Sequence, residues 1–316
     1  MAYCKSITFG DSQWGNLIQL SQTSSFFQQQ SWLQIWMKNF PIEYEIVGII
    51  EDEKLIGIAP ISISGEQVSI LGTTPILGKE QVCDFGDIVC LPQKEDLVWK
   101  SLREYLSKKY GGKTFLIRFI KESSPSFPIL KSISSNATIV ETSPYISLPT
   151  SWEEYLEMLE KKDRHELKRK LRRLETANYR VYRADPIEEN NRQFISLMKQ
   201  SAPEKARFMT GPMERYFIDI LTQIGTDQLM LWFMDINSHP VAGVIAFKYK
   251  GEMLLYNSGM NLAYKHLSVG LITKTLLIKY SIELGIKTFD FFQGNEHYKY
   301  DLGAKDNNLY QFTITL

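Results

Sequence analysis

The residues best suited to chemistry follow an apolar run near the end of this 316-residue chain. The run TFDFF at 288–292 has the composition of a buried strand, and polar residues come directly after it: Gln293, Gly294, Asn295, Glu296, His297, Tyr298 and Lys299. A carboxylate or an imidazole at the point where a chain leaves a sheet can take a proton from an amine, and a phenol can give one to a leaving group. The segment therefore predicts acid–base chemistry, with Glu296 or His297 as the base and Tyr298 as the proton donor.

Each of these side chains also has a structural alternative. Glu296 is open to an ion-pair role, and His297 to that of a hydrogen-bonded surface histidine. Asp290 lies within the strand, on the opposite face from the phenylalanines on either side of it, and a buried aspartate needs a partner. It is therefore either a catalytic group or a structural one that caps the neighbouring helix or pairs with Lys299.

A second candidate site precedes the helix predicted at 271–284. Lys265, Ser268 and Gly270 form the pattern Lys-x-x-Ser-x-Gly, with Val269 inside it. The unpaired N–H groups and the dipole of a helix's first turn favour an anion, and a glycine there lets the backbone approach a ligand closely. The alternative is an ordinary polar loop capped by Ser268.

The two halves of the chain share one plan, which predicts a duplicated α/β unit. Each half has a hairpin, then an amphipathic helix that ends near a glycine, then a strand that contains the letters KTF. These elements are predicted at 43–63, 94–109 and 111–119 in the first half and at 229–249, 271–284 and 285–292 in the second. Further helices are predicted from the capping-box pair Ser151 and Glu154 onward and at 188–202 and 212–224, with Pro203 as a breaker.

Composition excludes several classes of protein. Lys+Arg and Asp+Glu both number 36, which disfavours a globally basic, DNA-binding protein. No apolar stretch approaches the roughly 18 residues needed to span a bilayer, and the N-terminal residues lack the pattern of a secretory signal. The three cysteines show no zinc-ligand spacing, so we expect reduced thiols, no bound metal and a cytoplasmic location.

The segment 161–175 predicts a basic amphipathic helix. Three of its leucines recur at i, i+4 and i+7, and eight Lys or Arg residues lie between 161 and 173. Its outer face is either simply solvated or binds phosphate on a substrate, an anionic lipid or a tRNA, with Arg169 and Arg173 as candidate contacts.

These features together resemble the GNAT superfamily of acyltransferases, and more closely its CelD/BcsL-like branch, which is related to the Fem-type peptidyltransferases. The resemblance spans nearly the whole chain and is carried by the aromatic segment 26–40, the segment CDFGDIV at 83–89, and a C-terminal run of Gly285, Phe289-Asp290-Phe291, Gly294, Glu296 and Tyr298-Lys299. It implies tandem GNAT-like units, each a mixed, mainly antiparallel sheet flanked by helices. The units are expected at 1–148, a degenerate acceptor-side domain, and at 149–316, which binds the donor and performs the chemistry.

The resemblance also implies roles for particular residues. The phosphates of acetyl-CoA or another acyl-CoA would lie on the 265–270 loop, and backbone N–H groups near Asn257 and Ser258, at an irregularity in a strand predicted at 252–260, would stabilise the oxyanion. Gln293 and Lys299 would face the substrate. No metal is needed for such direct transfer.

Three functions follow as hypotheses. The first is an N-acyltransferase, in particular an N-acetyltransferase, that moves an acyl group from acyl-CoA to a small-molecule, sugar or peptide amine held between the domains. The second is a Fem-type aminoacyl or peptidyl transferase that uses aminoacyl-tRNA. The third is a non-catalytic GNAT-like binding module. The sequence does not specify an oligomeric state, and it predicts no integral membrane association.

Overall fold

The structure, a computed structural model, describes residues 2–78 and 80–316 and divides into two compact units. The first unit runs to Thr142 and also includes Asn307–Leu316, and the second is Ser143–Asp306. The predicted units, 1–148 and 149–316, differ from this division in two places: residues 143–148 belong to the second unit, and the last strand of the chain belongs to the first.

The first unit is built around a mixed sheet of eight described strands. Its elements before residue 143 are β1 (Tyr3–Ile7), α1 (Trp14–Leu20), α2 (Gln30–Asn39), β2 (Glu43–Glu51), β3 (Lys54–Ser64), β4 (Gln67–Ile70), β5 (Val89–Cys90), α3 (Glu95–Tyr110), β6 (Thr114–Lys121), α4 (Ser126–Ile133) and β7 (Asn136–Thr142). Strands β4 and β6 pair in parallel, as expected for strands joined through a helix. Trp99 and Leu102 of α3 pack against the sheet and are almost fully buried.

The second unit repeats this architecture with six described strands in the order β8-β13-β12-β11-β10-β9. Its elements are β8 (Tyr145–Ser147), α5 (Trp152–Met158), α6 (Lys161–Glu175), β9 (Tyr179–Arg183), α7 (Glu188–Ser201), α8 (Pro203–Phe208), α9 (Gly211–Gln223), β10 (Leu229–Ile236), β11 (His239–Tyr249), β12 (Glu252–Met260), α10 (Val269–Glu283), β13 (Thr288–Asp290) and α11 (His297–Asp301). The tandem, mainly antiparallel α/β fold predicted from the sequence is confirmed.

The two predicted hairpins also have the same turn. In both, the two central residues are left-handed, with φ of 49° and 63° at Asp52 and Glu53 and the same values at Asn237 and Ser238. A two-residue turn of this kind matches the twist of the flanking strands, and Asp and Asn tolerate the left-handed region. The equivalence of these turns supports the duplicated plan.

The last strand, β14 (Asn308–Thr315), pairs with β6 and β7 of the first unit. Its buried residues Phe312 and Ile314 belong to the first unit's core. The chain therefore completes the second unit before it returns to finish the first, an arrangement that local sequence patterns do not specify.

The feature of the second sheet that creates a site is the unequal length of two parallel neighbours. Strand β12 has nine residues, but β13 pairs only with Glu252, Met253 and Leu254. Beyond Leu254, none of the described strands lies beside this edge of β12. A register shift lies at the same point, where Tyr256 is inserted between two paired residues of β12. This β-bulge confirms the predicted irregularity, one residue before Asn257.

Helix α7 packs closely on the open part of β12. Gly259 makes this approach possible, because a Cβ atom at this position would lie 2.4 Å from the backbone nitrogen of Met198. The contact brings the end of α7, and α8 after it, beside the open edge.

No helix in the described ranges, 2–78 and 80–316, is long and apolar enough to cross a membrane.

We predict that Gly259→Ala destabilises the protein by about 2–3 kcal/mol, because the added methyl group meets backbone that cannot rotate away. Urea unfolding measures this change. Gly15→Ala is the matched control: its Cβ would meet no atom within 4 Å, so its stability should be unchanged or slightly increased. Equal stability of the Gly259→Ala variant and wild type would contradict the packing described.

Candidate active site

The open edge of β12 is the centre of the candidate site. Side chains at the end of α7 and in α8 bind the backbone groups of this edge. Ser201 Oγ accepts from Met260 N at 2.6 Å, and Lys205 Nζ donates to the carbonyl oxygen of Ser258. Asn257 Oδ1 accepts from Lys205 Nζ at 3.2 Å and from Ser258 N at 2.9 Å. Asn257 and Ser258, predicted as donor-binding residues, are therefore already engaged by the chain itself.

Lys205 reaches this edge because α8 begins at Pro203. The proline occupies the first turn of α8, where a missing N–H costs nothing, so it starts a helix instead of only breaking one. Burial lowers the pKa of Lys205, and the carboxylates of Glu296 and Glu204 oppose that shift.

A second lysine, Lys274, approaches from α10. Its Nζ donates to the carbonyl oxygen of Gly270 at 3.2 Å and lies 4.7 Å from the centre of the Tyr298 ring. Burial is the largest cause that lowers the pKa of Lys274 to about 7, and the positive charge of Lys205 is the second. The carboxylate of Glu296 opposes this shift. This pKa lies well below the ordinary value of about 10.4 for a lysine side chain.

Lys299 holds the segment that carries Glu296. Its side chain is buried, and its Nζ contacts the carbonyl oxygens of Phe292, Gln293 and Gly294 and, at 2.9 Å, Glu296 Oε2. The prediction that Lys299 faces a substrate differs from this geometry, because its ammonium group is occupied by its own chain. Gln293 contributes its carbonyl oxygen to the same cluster.

Three predicted acid–base residues lie in different surroundings. Burial favours a higher pKa for Glu296, but the hydrogen bond and charge of Lys299 outweigh it and the pKa is lowered. Burial raises the pKa of Tyr298, and Glu296 adds to the effect, which makes this phenol a poorer proton donor than a free one. His297 is 90% exposed and pairs with Asp301 at 3.2 Å, facing a separate cavity of about 150 Å³ beside Leu271.

Asp290 is buried and has structural partners. Its Oδ1 accepts from Ser143 Oγ and from Phe292 N, both at 2.8 Å. These bonds satisfy the partner requirement stated from the sequence, and they fix the path of the chain as it leaves β13 toward Glu296.

The predicted phosphate loop has a left-handed residue at its helix cap. Ser268 has φ of 57°, a conformation usually held by glycine, and it ends the 3-10 turn Leu262–Leu267. Val269 and Gly270 are buried at the start of α10. A Cβ at Gly270 would lie 2.7 Å from Met260 Sδ, so the glycine allows the Met260 side chain to pack closely against the helix. Lys265 is exposed on the loop.

The basic helix α6 lies beside this loop. Arg173 Nη1 donates to the carbonyl oxygen of His266 at 2.9 Å, which ties α6 to the 3-10 turn. Arg169 instead forms an ion pair with Glu166 at 2.6 Å on the exposed face of the helix. Exposed lysines and arginines of α6 thus extend the positive surface of the 265–270 loop.

The structure therefore brings Glu296, Tyr298 and Asn257 to the open edge of β12 and leaves His297 and Arg169 outside it. It adds Lys205 and Lys274, which the sequence analysis did not identify. For Lys205, the available signal in the sequence was Pro203 at the start of a helix. No signal pointed to Lys274, because a lysine at such a position of an amphipathic helix is common. In the described part of the chain no group of His, Cys, Asp and Glu side chains could hold a metal ion.

Comparison with known proteins identifies the fold. Residues 161–300 match the family described as an acetyltransferase (GNAT) domain. Comparison with curated proteins found no match. Among solved structures, FemX is similar over 99% of this chain and 97% of its own, with a TM-score of 0.70 and 11% identity.

Two other solved structures share the two-unit fold. L-PGS from Bacillus licheniformis is similar over 96% of this chain and 92% of its own, with a TM-score of 0.63 and 11% identity. A tandem GNAT protein of the clavulanic acid biosynthesis pathway is similar over 99% and 98%, with a TM-score of 0.53 and 11% identity. The domain match and this fold support an acyltransferase. Residues 161–300 thus match a GNAT domain, and the chain as a whole shares the fold of FemX.

Proposed function

We propose that the second unit is an N-acyltransferase that moves an acyl group from acyl-CoA to an amine at the open edge of β12. The observation that carries this proposal is the position of that edge, with the Glu296 carboxylate and two lysines near it and the loop Lys265–Gly270 at the end of the same strand. Within the superfamily we assign the chain to the CelD/BcsL-like branch, on the run from Gly285 to Lys299. An acyl-CoA donor also implies a cytoplasmic reaction.

The acceptor amine arrives as an ammonium ion. With a pKa near 10.4, only about 0.1% of such an amine is neutral at pH 7.4, which corresponds to a handicap of roughly 4 kcal/mol. Glu296 is suited to bind this ammonium group: its lowered pKa keeps the carboxylate charged, and only Oε2 is used by Lys299. The same lowered pKa makes Glu296 a weak base, so its proposed role is to position the amine.

The attacked carbonyl oxygen gains negative charge. The sequence analysis assigned its stabilisation to backbone N–H groups near Asn257 and Ser258, but Ser258 N already donates to Asn257 Oδ1. We propose that the ammonium group of Lys205 takes this role, since it lies at the Ser258 carbonyl on the same edge.

The carrier's phosphates are proposed to lie on the positive surface formed by α6 and Lys265. Helix α6 contacts the 3-10 turn through Arg173, and exposed cations such as Lys168 and Arg172 lie on the same helix. Charge-assisted hydrogen bonds to phosphate suit these side chains.

A second donor, an aminoacyl ester of tRNA, is favoured by one specific observation. An extended carrier arm would add to an open strand edge through main-chain hydrogen bonds. Here Ser201 and Lys205 already bind the groups of Met260 and Ser258 on that edge. A donor that does not pair with β12 is compatible with this geometry.

The donor is tested by binding and turnover with acetyl-CoA, longer acyl-CoAs and aminoacyl-tRNA. We expect acetyl-CoA to raise the melting temperature, and the double variant Lys168→Ala, Arg172→Ala to weaken binding by about tenfold or more through lost charged contacts. Arg192→Ala is the matched control, since Arg192 is an exposed helical arginine paired with Glu188 elsewhere in the unit.

Other outcomes separate the remaining hypotheses. Salt-dependent binding of tRNA that the double variant loses would favour the aminoacyl donor. Binding without turnover of any donor would indicate a non-catalytic module. No binding of any acyl-CoA would contradict the proposed donor.

We predict that Glu296→Gln raises KM for the amine acceptor by about tenfold or more, with a smaller change in kcat, because one charged hydrogen bond to the ammonium group is lost. Steady-state kinetics with a varied acceptor measure this. Glu283→Gln, an exposed carboxylate at the end of α10, is the control and should leave KM unchanged. An unchanged KM in Glu296→Gln would remove Glu296 from acceptor binding.

A further inference from the structure

Within the described ranges, Lys274 forms no ion pair with a carboxylate although charged groups surround it. Lys205 faces it from α8, and Glu296, Tyr298 and Lys299 face it from the segment that ends in α11. The carboxylate of Glu296 is bound to Lys299 at 2.9 Å. Among residues 2–78 and 80–316, the acceptors of Lys274 and Lys205 are backbone oxygens and one amide oxygen.

This arrangement disfavours a charged Lys274. A buried ammonium group loses hydration, and a second ammonium nearby repels it. The hydrogen bond to the Gly270 carbonyl and the contact with the face of the Tyr298 ring offset only part of the lost hydration free energy. A lysine held this way passes between its neutral and charged forms near pH 7, where proton transfer is most effective.

We propose that Lys274 is the proton-transfer group of this site: it takes the proton from the acceptor ammonium bound at Glu296 and returns it to the departing carrier. This catalytic role of Lys274 rests on the proposed acyl transfer. Lys274 lies within the segment 161–300 that matches the GNAT domain, but the sequence analysis did not single it out.

The steps balance as follows. The neutral amine of Lys274 removes one proton from the acceptor ammonium, which leaves a neutral nucleophile and a charged lysine. The acceptor nitrogen then forms a bond to the acyl carbon. The tetrahedral adduct loses a second proton to water and breaks its bond to the carrier's sulfur, or to oxygen for an ester donor. The lysine ammonium gives its proton to that leaving atom and becomes neutral again.

Substitutions separate proton transfer from simple charge. Lys274→Arg keeps the positive charge but cannot lose its proton, and Lys274→Met removes both properties. We expect each to lower kcat/KM by about 10²–10⁴-fold and to abolish the rise of kcat/KM with pH near 7. Lys279→Met, on the same helix but over the Trp152 ring, is the control and should keep activity and pH profile. Activity retained by Lys274→Arg would overturn the proposal in favour of an anion-binding lysine.

The closing experiment does not depend on activity. Acetic anhydride labels only neutral amines, so labelling followed by mass spectrometry gives each lysine a pH midpoint. We expect a midpoint near 7 for Lys274, against about 10.4 for an unperturbed lysine side chain. Lys205→Met should raise the Lys274 midpoint by removing a like charge, and Glu296→Gln should lower it by removing an opposite one.

The results distinguish the two proposals. An ordinary midpoint for Lys274 overturns the proton-transfer role whether or not the protein turns over a donor. A midpoint near 7 in a protein that turns over no donor overturns the acyl-transfer proposal, and the catalytic role of Lys274 with it. A midpoint near 7 together with the loss of activity in Lys274→Arg supports both.

Discussion

The second unit depends on a charge imbalance at one sheet edge. Three lysines, Lys205, Lys274 and Lys299, lie near the Glu296 carboxylate in partly or fully buried positions, and Glu204 acts on Lys205 alone among the three. Burying ammonium groups without paired carboxylates opposes folding, so a fold that retains them must hold them in place by other contacts. Backbone carbonyl oxygens supply most of those contacts here. Lys274 has the weakest contacts of the three lysines, with its hydrogen bond to the Gly270 carbonyl oxygen at 3.2 Å.

The sheet provides the space for this imbalance. Because β13 is three residues long and β12 is nine, the edge of β12 beyond Leu254 is filled by helix ends instead of a strand. The close approach of α7 at Gly259 sets the position of α8, and α8 delivers Lys205 to the Ser258 carbonyl. On the other side, Asp290 and Lys299 fix the chain that carries Glu296. A short strand and one glycine thus determine which charges meet.

The sequence was sufficient for features that local patterns encode. The paired hairpins, the helices α3, α7, α9 and α10, and the Ser151 cap, whose Oγ accepts from Glu154 N, are confirmed. Features that depend on distant segments were not predictable. The return of β14 to the first unit follows from pairing across the sheet, and the pKa of Lys274 follows from charges on two other elements. Pro203 was predicted to break a helix, and α7 does end just before it, but its second role as the start of α8 was not predicted.

The most direct test of this account is the pH dependence of stability in wild type and Lys274→Met. Because the folded-state pKa of Lys274 is depressed, the folded protein binds fewer protons than the unfolded chain between about pH 7 and 10, so stability should rise with pH across that range. Urea unfolding from pH 6 to 10 should show a steeper rise in wild type than in the variant, with the variant more stable at pH 7 and below and the difference shrinking toward pH 10. Two parallel curves would contradict the central claim that Lys274 is held desolvated and unpaired.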